Sequence, residues 1–237
     1  MQKEIKSWED LESEVKRIGM LPYFTNKIPG FSVEERVPDP ILWDMEDGPW
    51  EWKGKIVRNF NVAYGKIFGR RAGYISTECL PDFMKVRRIN SMISAESEEG
   101  RIYKILKEHE SLLSKELKTL AGYTQGRKPR RSANPFENMP VLDKNPEKTV
   151  NMSDSRFESA ITRLQMAGYV VIADFEYLYD RQGNRYGWGI ARYTTPEALY
   201  NICPSESPWQ KSYQRLFERL RKEMPDVDPK LIHRIIL

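Results

Sequence analysis

Cysteine is scarce in this sequence, which has only Cys79 and Cys203 among its 237 residues. Neither has a second cysteine or a histidine at metal-ligand spacing, so the sequence predicts no disulfide framework and no zinc site. We expect both thiols to be free and buried, because a free cysteine packs as a small apolar residue. Phosphate-cradling glycine loops, serine elbows and metal-binding helix motifs are also missing, and no cofactor is predicted.

Long apolar runs are absent too. No stretch approaches the roughly 20 residues that a membrane-spanning helix needs, and the first residues, from Met1 to Glu4, lack the apolar core of a secretion signal. We therefore expect a cytoplasmic protein with no membrane partner. With 40% apolar and 30% charged residues in a chain of 237, the composition fits either one large globular domain or two to three small ones.

The charge is distributed unevenly along the chain. Residues 1–60 carry 9 Lys and Arg against 12 Asp and Glu, a balance of −3, whereas residues 61–237 carry 29 against 22, a balance of +7. A basic later part favours a polyanionic partner, although a mixed solvated surface would explain much of the asymmetry without one.

Residues 1–95 are predicted to form an N-terminal mixed α/β module. Ser7 can cap a helix that ends at Gly19. Residues 20–55 are rich in Pro, Gly and aromatic residues, which predicts short strands and packed loops. A hairpin over residues 61–76 and a short helix near residues 80–88 follow, and the polar residues 90–98 read as a linker.

Residues 96–200 carry the pattern of a winged helix-turn-helix domain. Apolar spacing predicts helices over residues 99–109 and 113–121, the second capped by Ser114. A third helix is expected to begin at the capping box from Ser155 to Glu158. Strands over residues 169–173 and 188–193 then flank a turn at residues 181–185. The predicted fold class is therefore α+β, with a winged helix between the N-terminal module and C-terminal helices.

Two segments lie outside this minimal domain. Residues 122–152 form an insertion that is longer than ordinary loops. Its basic cluster, predicted to bind nucleic acid, consists of Arg127, Lys128, Arg130 and Arg131. Residues 201–237 have apolar residues at helical spacing, so they are expected to form helices that dock on the body.

The third helix and the wing are the predicted surface for duplex DNA, since a recognition helix enters the major groove and the wing contacts the backbone. The helix would present Arg156, Ser159, Thr162, Arg163 and Met166 outward, and the wing would add Arg181 and Arg185. Arginines and hydroxyls suit phosphate and base-edge contacts. Use of the domain for protein contacts, or as a scaffold, is the alternative.

Residues 43–52 pack three tryptophans among four carboxylates. Trp50 and Trp52 could stack a base, and Asp47 or Glu51 could act as a general base or stabilise a cationic sugar. The alternative is an acidic surface loop whose tryptophans fill the core of the module.

One stretch resembles a known family. Lys66-Ile-Phe-Gly-Arg-Arg-Ala-Gly-Tyr-Ile-Ser76, followed by Pro81 and by Lys85-Val-Arg-Arg88, resembles the AlkZ/YcaQ-type DNA glycosylases, winged-helix proteins that excise alkylated or crosslinked bases. The end of the third helix, from Leu164 to Gly168, and the pair Arg192 and Tyr193 also resemble that family. The resemblance covers residues 50–197 and implies a DNA-binding protein related to base-excision repair.

The sequence departs from that family at positions that carry its chemistry. The family's histidine position holds Arg70, its acidic position holds Lys66, and no glutamine begins the Gln-x-Asp or Gln-x-Gln motif. Any base excision would then depend on Asp47 or Glu51. Two interpretations stay open: a DNA-binding relative of the glycosylases, with or without catalysis, and a non-enzymatic transcriptional regulator or protein-interaction scaffold. The sequence indicates no oligomeric state.

Overall fold

The computed structural model describes residues 3–44, 46–123 and 152–237. Helix α1 (Trp8–Ile18) begins as predicted, because the side chain of Ser7 accepts a hydrogen bond from the backbone N–H of Asp10. The helix ends at Gly19, whose φ of 99° is strained for any residue with a Cβ. The chain continues directly into strand β1 (Met20–Pro22).

The segment predicted as strands and loops contains two helices. A short helix α2 (Asp39–Leu42) precedes α3 (Pro49–Arg58). Proline occupies the first turn of α3, where its missing N–H needs no partner. The tryptophan-rich segment is therefore partly helical, contrary to the prediction of a loop.

The predicted hairpin is confirmed as β2 (Val62–Phe68) and β3 (Arg71–Ser76), which pair antiparallel. Strand β1 joins the other edge of β3, giving a three-stranded sheet of order β1-β3-β2. Both turn residues have positive φ, Gly69 at 53° and Arg70 at 68°. Helix α4 (Leu80–Asn90) follows where it was predicted.

The second sheet comes from the later part of the chain. Its elements are α5 (Glu98–His109), β4 (Ser111–Leu113), α6 (Ser114–Leu120), α7 (Met152–Met166), β5 (Val171–Tyr179), β6 (Arg185–Thr194) and α8 (Pro196–Tyr200). The strands form an antiparallel sheet of order β4-β6-β5. The mixed α+β class is thus confirmed, with two small antiparallel sheets.

Several details in this part differ from the predictions. Strand β4 was not predicted, and Leu113 occupies the cap position of α6 in place of Ser114. Helix α7 begins at Met152, so the expected capping box at Ser155 lies inside the helix. Thr162 is buried and does not point outward, because the core covers more of α7 than the apolar stripe indicated.

The two sheets share one continuous core. The ring of Tyr64 on β2 meets that of Phe175 on β5 at 5.8 Å between centroids. The buried side chain of Gln165 on α7 accepts a hydrogen bond of 2.9 Å from the backbone N–H of Lys66. The predicted boundaries of domains 1–95, 96–200 and 201–237 remain predictions, since the buried residues run across them.

The C-terminal residues form α9 (Trp209–Glu223) and α10 (Pro229–Ile236). Helix α9 packs along α4 and buries Leu216 and Leu220, and Arg215 pairs with Asp82 near the start of α4. Cys79 is a buried free thiol, whereas Cys203 is exposed, contrary to the prediction for it. Throughout the described ranges, every helix is too short or too polar to cross a bilayer.

Candidate functional site

A cleft of about 290 Å³ opens beside the first turn of α3. We call it the aromatic cleft, and it is lined by Tyr23, Phe24, Glu34, Leu42, Trp43, Asp44, Trp50 and Glu51. Four aromatic rings and three carboxylates therefore share one small concavity. Such a lining combines flat apolar walls with negative charge, which suits a planar ligand that carries positive charge.

The first predicted stacking residue, Trp50, lines this cleft. Its side chain is 36% exposed, and its ring meets Tyr23 edge-on at 5.4 Å. Trp43, on the opposite side of the intervening turn, is 75% exposed. Both rings thus offer a face or edge to a ligand.

The second predicted stacking residue, Trp52, cannot take that role. Trp52 is only 2% exposed, and its indole Nε1–H donates a 2.7 Å hydrogen bond to the carbonyl oxygen of Asp47. Residues two apart on a helix point to different sides, so Trp50 faces the cleft while Trp52 packs in the core. The stacking prediction for Trp52 is wrong.

Of the two predicted catalytic acids, Glu51 lines the cleft. One carboxylate oxygen of Glu51 lies 2.7 Å from Nη1 of Arg185 and 3.3 Å from the hydroxyl of Tyr177, which donates to it. Burial by itself would raise the pKa of Glu51, but the hydrogen bond from Arg185 and the positive charges of Lys53 and Arg185 lower it. Glu51 is therefore ionised at neutral pH.

Asp47 sits differently, in the turn before α3. Its side chain is 65% exposed and pairs with Nζ of Lys55 at 2.7 Å. It does not line the cleft. The position of Glu51 thus fits the chemistry predicted for this segment better than that of Asp47.

The other two cleft acids are also held ionised by local hydrogen bonds. The backbone N–H and the hydroxyl of Thr25 both donate to Glu34 at 2.8 Å and lower its pKa. The backbone N–H groups of Asp47 and Glu46 lower the pKa of Asp44 in the same way. Three negative charges consequently face the cleft, with Arg185 balancing part of the charge of Glu51.

A lysine that the sequence did not single out lies behind Trp50. The Nζ of Lys53 is 4.3 Å from the centroid of the Trp50 ring and 4.9 Å from that of Phe175. It donates a hydrogen bond to the carbonyl oxygen of Trp50. Burial, opposed by the charge of Glu51 and assisted by that of Arg185, lowers the pKa of Lys53 to about 8.

The predicted recognition surface, the outer face of α7, is neutralised by a neighbouring helix. Arg156 pairs with Glu98, and Arg163 pairs with Glu99, both acids belonging to the first turn of α5. Ser159 accepts hydrogen bonds from Arg163 at 2.9 Å and from Arg70 at 3.3 Å. Arg70, Arg156, Ser159 and Arg163 therefore lie close together, but two of the three arginines already hold a carboxylate.

The remaining predicted cations are divided between two places. Arg181 is exposed in the turn between β5 and β6, where the side chain of Asp180 accepts hydrogen bonds from the backbone N–H groups of Gln182 and Asn184. Arg185 is turned towards the cleft, with its guanidinium 3.4 Å from the centroid of the Tyr177 ring. Arg127, Lys128, Arg130 and Arg131 lie outside the described residues.

Sequence reasoning missed Tyr23, Phe24, Lys53 and Tyr177 as neighbours of the site. The missing signal was the helix itself: Gly48-Pro49 reads as a helix start, and helical spacing would have set Lys53 three residues from Trp50 on the same side. In the part of the chain that the structure describes, no cluster of three or more His, Cys, Asp or Glu could hold a metal ion.

Residues 5–237 match the protein family described as AlkZ related. The chain belongs to this family. Among solved structures, it is similar to the Streptomyces sahachiroi DNA glycosylase AlkZ, with 12% sequence identity and a TM-score of 0.46. That match covers 92% of this chain and 51% of the AlkZ chain, so this AlkZ-related chain spans about half the length of that structure. No curated protein sequence matches it.

Proposed function

We propose that this AlkZ-related chain binds duplex DNA and takes an alkylated base into the aromatic cleft as part of a repair reaction. The observation that carries the proposal is the combination of Trp50, Trp43 and Tyr23 with ionised carboxylates in one cleft. Alkylation at a purine ring nitrogen gives a flat base with a positive charge. Stacking on Trp50 and attraction by the carboxylates would then favour this base over a neutral one.

Glu51 is the residue that we propose for catalysis. Cleavage of a glycosidic bond builds positive charge on the sugar and needs a water molecule as nucleophile. An ionised carboxylate at the cleft wall can stabilise that charge and orient the water. Because Arg185 and Tyr177 hold Glu51 in place, its position is fixed before a substrate arrives.

The order of elements supports a winged helix as the DNA-binding part. Helix α5, strand β4, helices α6 and α7, and the hairpin β5–β6 follow one another in the order helix, strand, helix, helix, strand, strand. In this arrangement, α7 would be the recognition helix, and the turn with Arg181 would be the wing that contacts the DNA backbone. Membership in the AlkZ-related family motivates the choice of DNA as the partner, because AlkZ is the name of a DNA glycosylase.

Binding of duplexes with and without one N7-methylguanine tests the proposal. We expect tighter binding of the methylated duplex. We expect Trp50→Ala and Glu51→Gln each to reduce the ratio of the affinities for the methylated and unmethylated duplexes at least tenfold. Asp47→Asn is the matched control, since it removes an acid from the same segment but outside the cleft. Release of the methylated base, measured at high protein excess, should disappear in Glu51→Gln. Equal affinity for both duplexes would refute the cleft as a base-binding site.

A non-enzymatic role is the second candidate, and the ion pairs on α7 favour it. With Arg156 and Arg163 bound to Glu98 and Glu99, the face that should approach phosphates carries little net charge. A surface of paired charges suits contact with another protein better than contact with a polyanion. DNA binding that is unaffected by salt concentration, or absent, would support this role and contradict the first.

A further inference from the structure

Lys53 is unusual because its amine is buried without an acidic partner. Its side chain is only 5% exposed, and none of the carboxylates in the described residues lies within ion-pair distance of its Nζ. The amine is held between the rings of Trp50 and Phe175 and by the carbonyl oxygen of Trp50. Nearby acids and bases on the packed elements are Glu51 on α3, Tyr177 on β5 and Arg185 on β6.

The amine lies directly behind the wall of the aromatic cleft. Trp50 forms that wall and is partly exposed, so Nζ is separated from the cleft by this one ring, and access to the amine requires the ring to move aside. The lysine stem has four rotatable bonds, and the hydrogen bond to the Trp50 carbonyl is the polar contact that it would give up. Nucleophilic lysines in enzymes are found in such desolvated positions beside another cation, which here is Arg185.

This environment also makes the neutral amine available at neutral pH. With a pKa of about 8, about one Lys53 in ten is unprotonated at pH 7, compared with ~1 in 2,500 for an ordinary lysine. The unprotonated amine is the nucleophile that attacks a carbonyl carbon.

We propose that Lys53 forms an imine with the aldehyde of an abasic sugar in the aromatic cleft, so that the chain acts as an abasic-site lyase. The proposal rests on the proposed function, since an abasic sugar is what remains when a base has been released from DNA.

The chemistry needs no added oxidant or reductant. The amine nitrogen bonds to C1′ of the ring-opened sugar, and the aldehyde oxygen leaves as water. The resulting iminium draws electrons from C2′, whose proton passes to a base, for which Glu51 is the nearest ionised carboxylate along α3. The C3′–O bond then breaks and the 3′-phosphate departs with the bonding electrons. Water hydrolyses the imine, which returns the amine and releases an unsaturated aldehyde on the 5′ fragment.

Borohydride trapping on a duplex with one preformed abasic site tests this proposal. Borohydride reduces the imine to a stable amine, so the protein becomes covalently attached to DNA and shifts on a denaturing gel. We expect an adduct with the unsubstituted protein and at least a tenfold loss in Lys53→Met. Lys55→Met is the matched control, because Lys55 is an exposed lysine on the same helix that pairs outside the cleft; its adduct yield should stay within twofold.

Mass spectrometry of the adduct formed by the unsubstituted protein locates the attached residue, so the test does not depend on whether Lys53→Met folds. Attachment at Lys53 supports the proposal, and attachment at any other amine, or no adduct, overturns it. Because the substrate is already abasic, trapping does not require recognition of an alkylated base. A failed trap with intact preference for methylated duplex refutes the lyase alone, whereas a trap at Lys53 without that preference refutes the base-recognition function alone.

Discussion

Removing the acids that neutralise α7 should strengthen DNA binding. Glu98 and Glu99 in the first turn of α5 pair with Arg156 and Arg163, so their negative charges cancel much of the attraction of these arginines for phosphates. The double variant Glu98→Gln, Glu99→Gln keeps the size of both side chains and removes their charge. If α7 lies on the DNA, the released guanidiniums become free to contact two phosphates.

The size of the effect follows from counterion release. Each additional phosphate contact steepens the dependence of log affinity on log salt by about 0.9, so two contacts add about 1.8. Raising the salt from 50 to 200 mM, a fourfold change, should therefore cost the double variant roughly 12 times more affinity than it costs the unsubstituted protein. At the lower salt concentration, the double variant should bind more tightly.

Fluorescence anisotropy with a labelled duplex across this salt range measures both quantities. Glu108→Gln is the matched control, since Glu108 is an exposed acid on the same helix whose contact with Lys104 is long, at 3.9 Å. The double change should lower the free energy of unfolding only slightly, because partly exposed ion pairs contribute less than about 1 kcal/mol each. An unchanged salt slope in a double variant that melts normally would refute α7 as the DNA-binding face.

Three further predictions concern stability. Glu14→Gln should cost about 3 kcal/mol in urea unfolding, since it leaves the buried Arg36 without a carboxylate. Burial alone would raise the pKa of Glu14, but hydrogen bonds from Arg17 and Arg36 lower it. The stability that Glu14 contributes should therefore be present at neutral pH and be lost as the pH falls through the lowered pKa. Lys53→Met should stabilise the fold most below pH 8, and the gain should shrink as the pH rises from about 8, where the native amine loses its proton. Gln165→Leu should cost about 1–3 kcal/mol by thermal unfolding, because the N–H of Lys66 would lose the buried Gln165 side chain as its acceptor. Unchanged stability in Glu14→Gln or Gln165→Leu would contradict the corresponding contact, and a Lys53→Met variant no more stable than the unsubstituted protein below pH 8 would contradict a destabilising charge at Lys53.

Much of the fold could be predicted because its signals are local. The Ser7 cap, the residues that end α1 and the turn between β2 and β3 depend on neighbours a few positions away. Helix α3 was missed because the prolines and glycines around it indicate a segment without regular secondary structure. Pro49, however, lies in the first turn, where a helix tolerates proline. The start of α7 was misplaced because a capping-box pattern can also occur inside a helix.

The site was harder to predict, since its partners are distant in the sequence. Glu51 and Arg185 are 134 positions apart and meet only when the β5–β6 hairpin packs near α3. Local composition identified the tryptophans and acids but could not separate Trp50 from Trp52, because that separation depends on which side of α3 faces the core. The arginines of α7 were predicted from their outward spacing, but the acids that hold them come from a different helix.

The contact between Glu51 and Arg185 connects the two halves of the proposed function. Arg185 belongs to the hairpin that would approach the DNA backbone, and it carries the charge that holds Glu51 ionised at the cleft. A phosphate near the hairpin could bind this arginine without displacing Glu51, because a guanidinium has five N–H donors and Glu51 contacts Nη1. Arg185 would then keep Glu51 in place and would stay beside Lys53. Under the proposed function, docking of the hairpin on the DNA backbone therefore places the Glu51 carboxylate and the Lys53 amine at the target nucleotide with their positions already set.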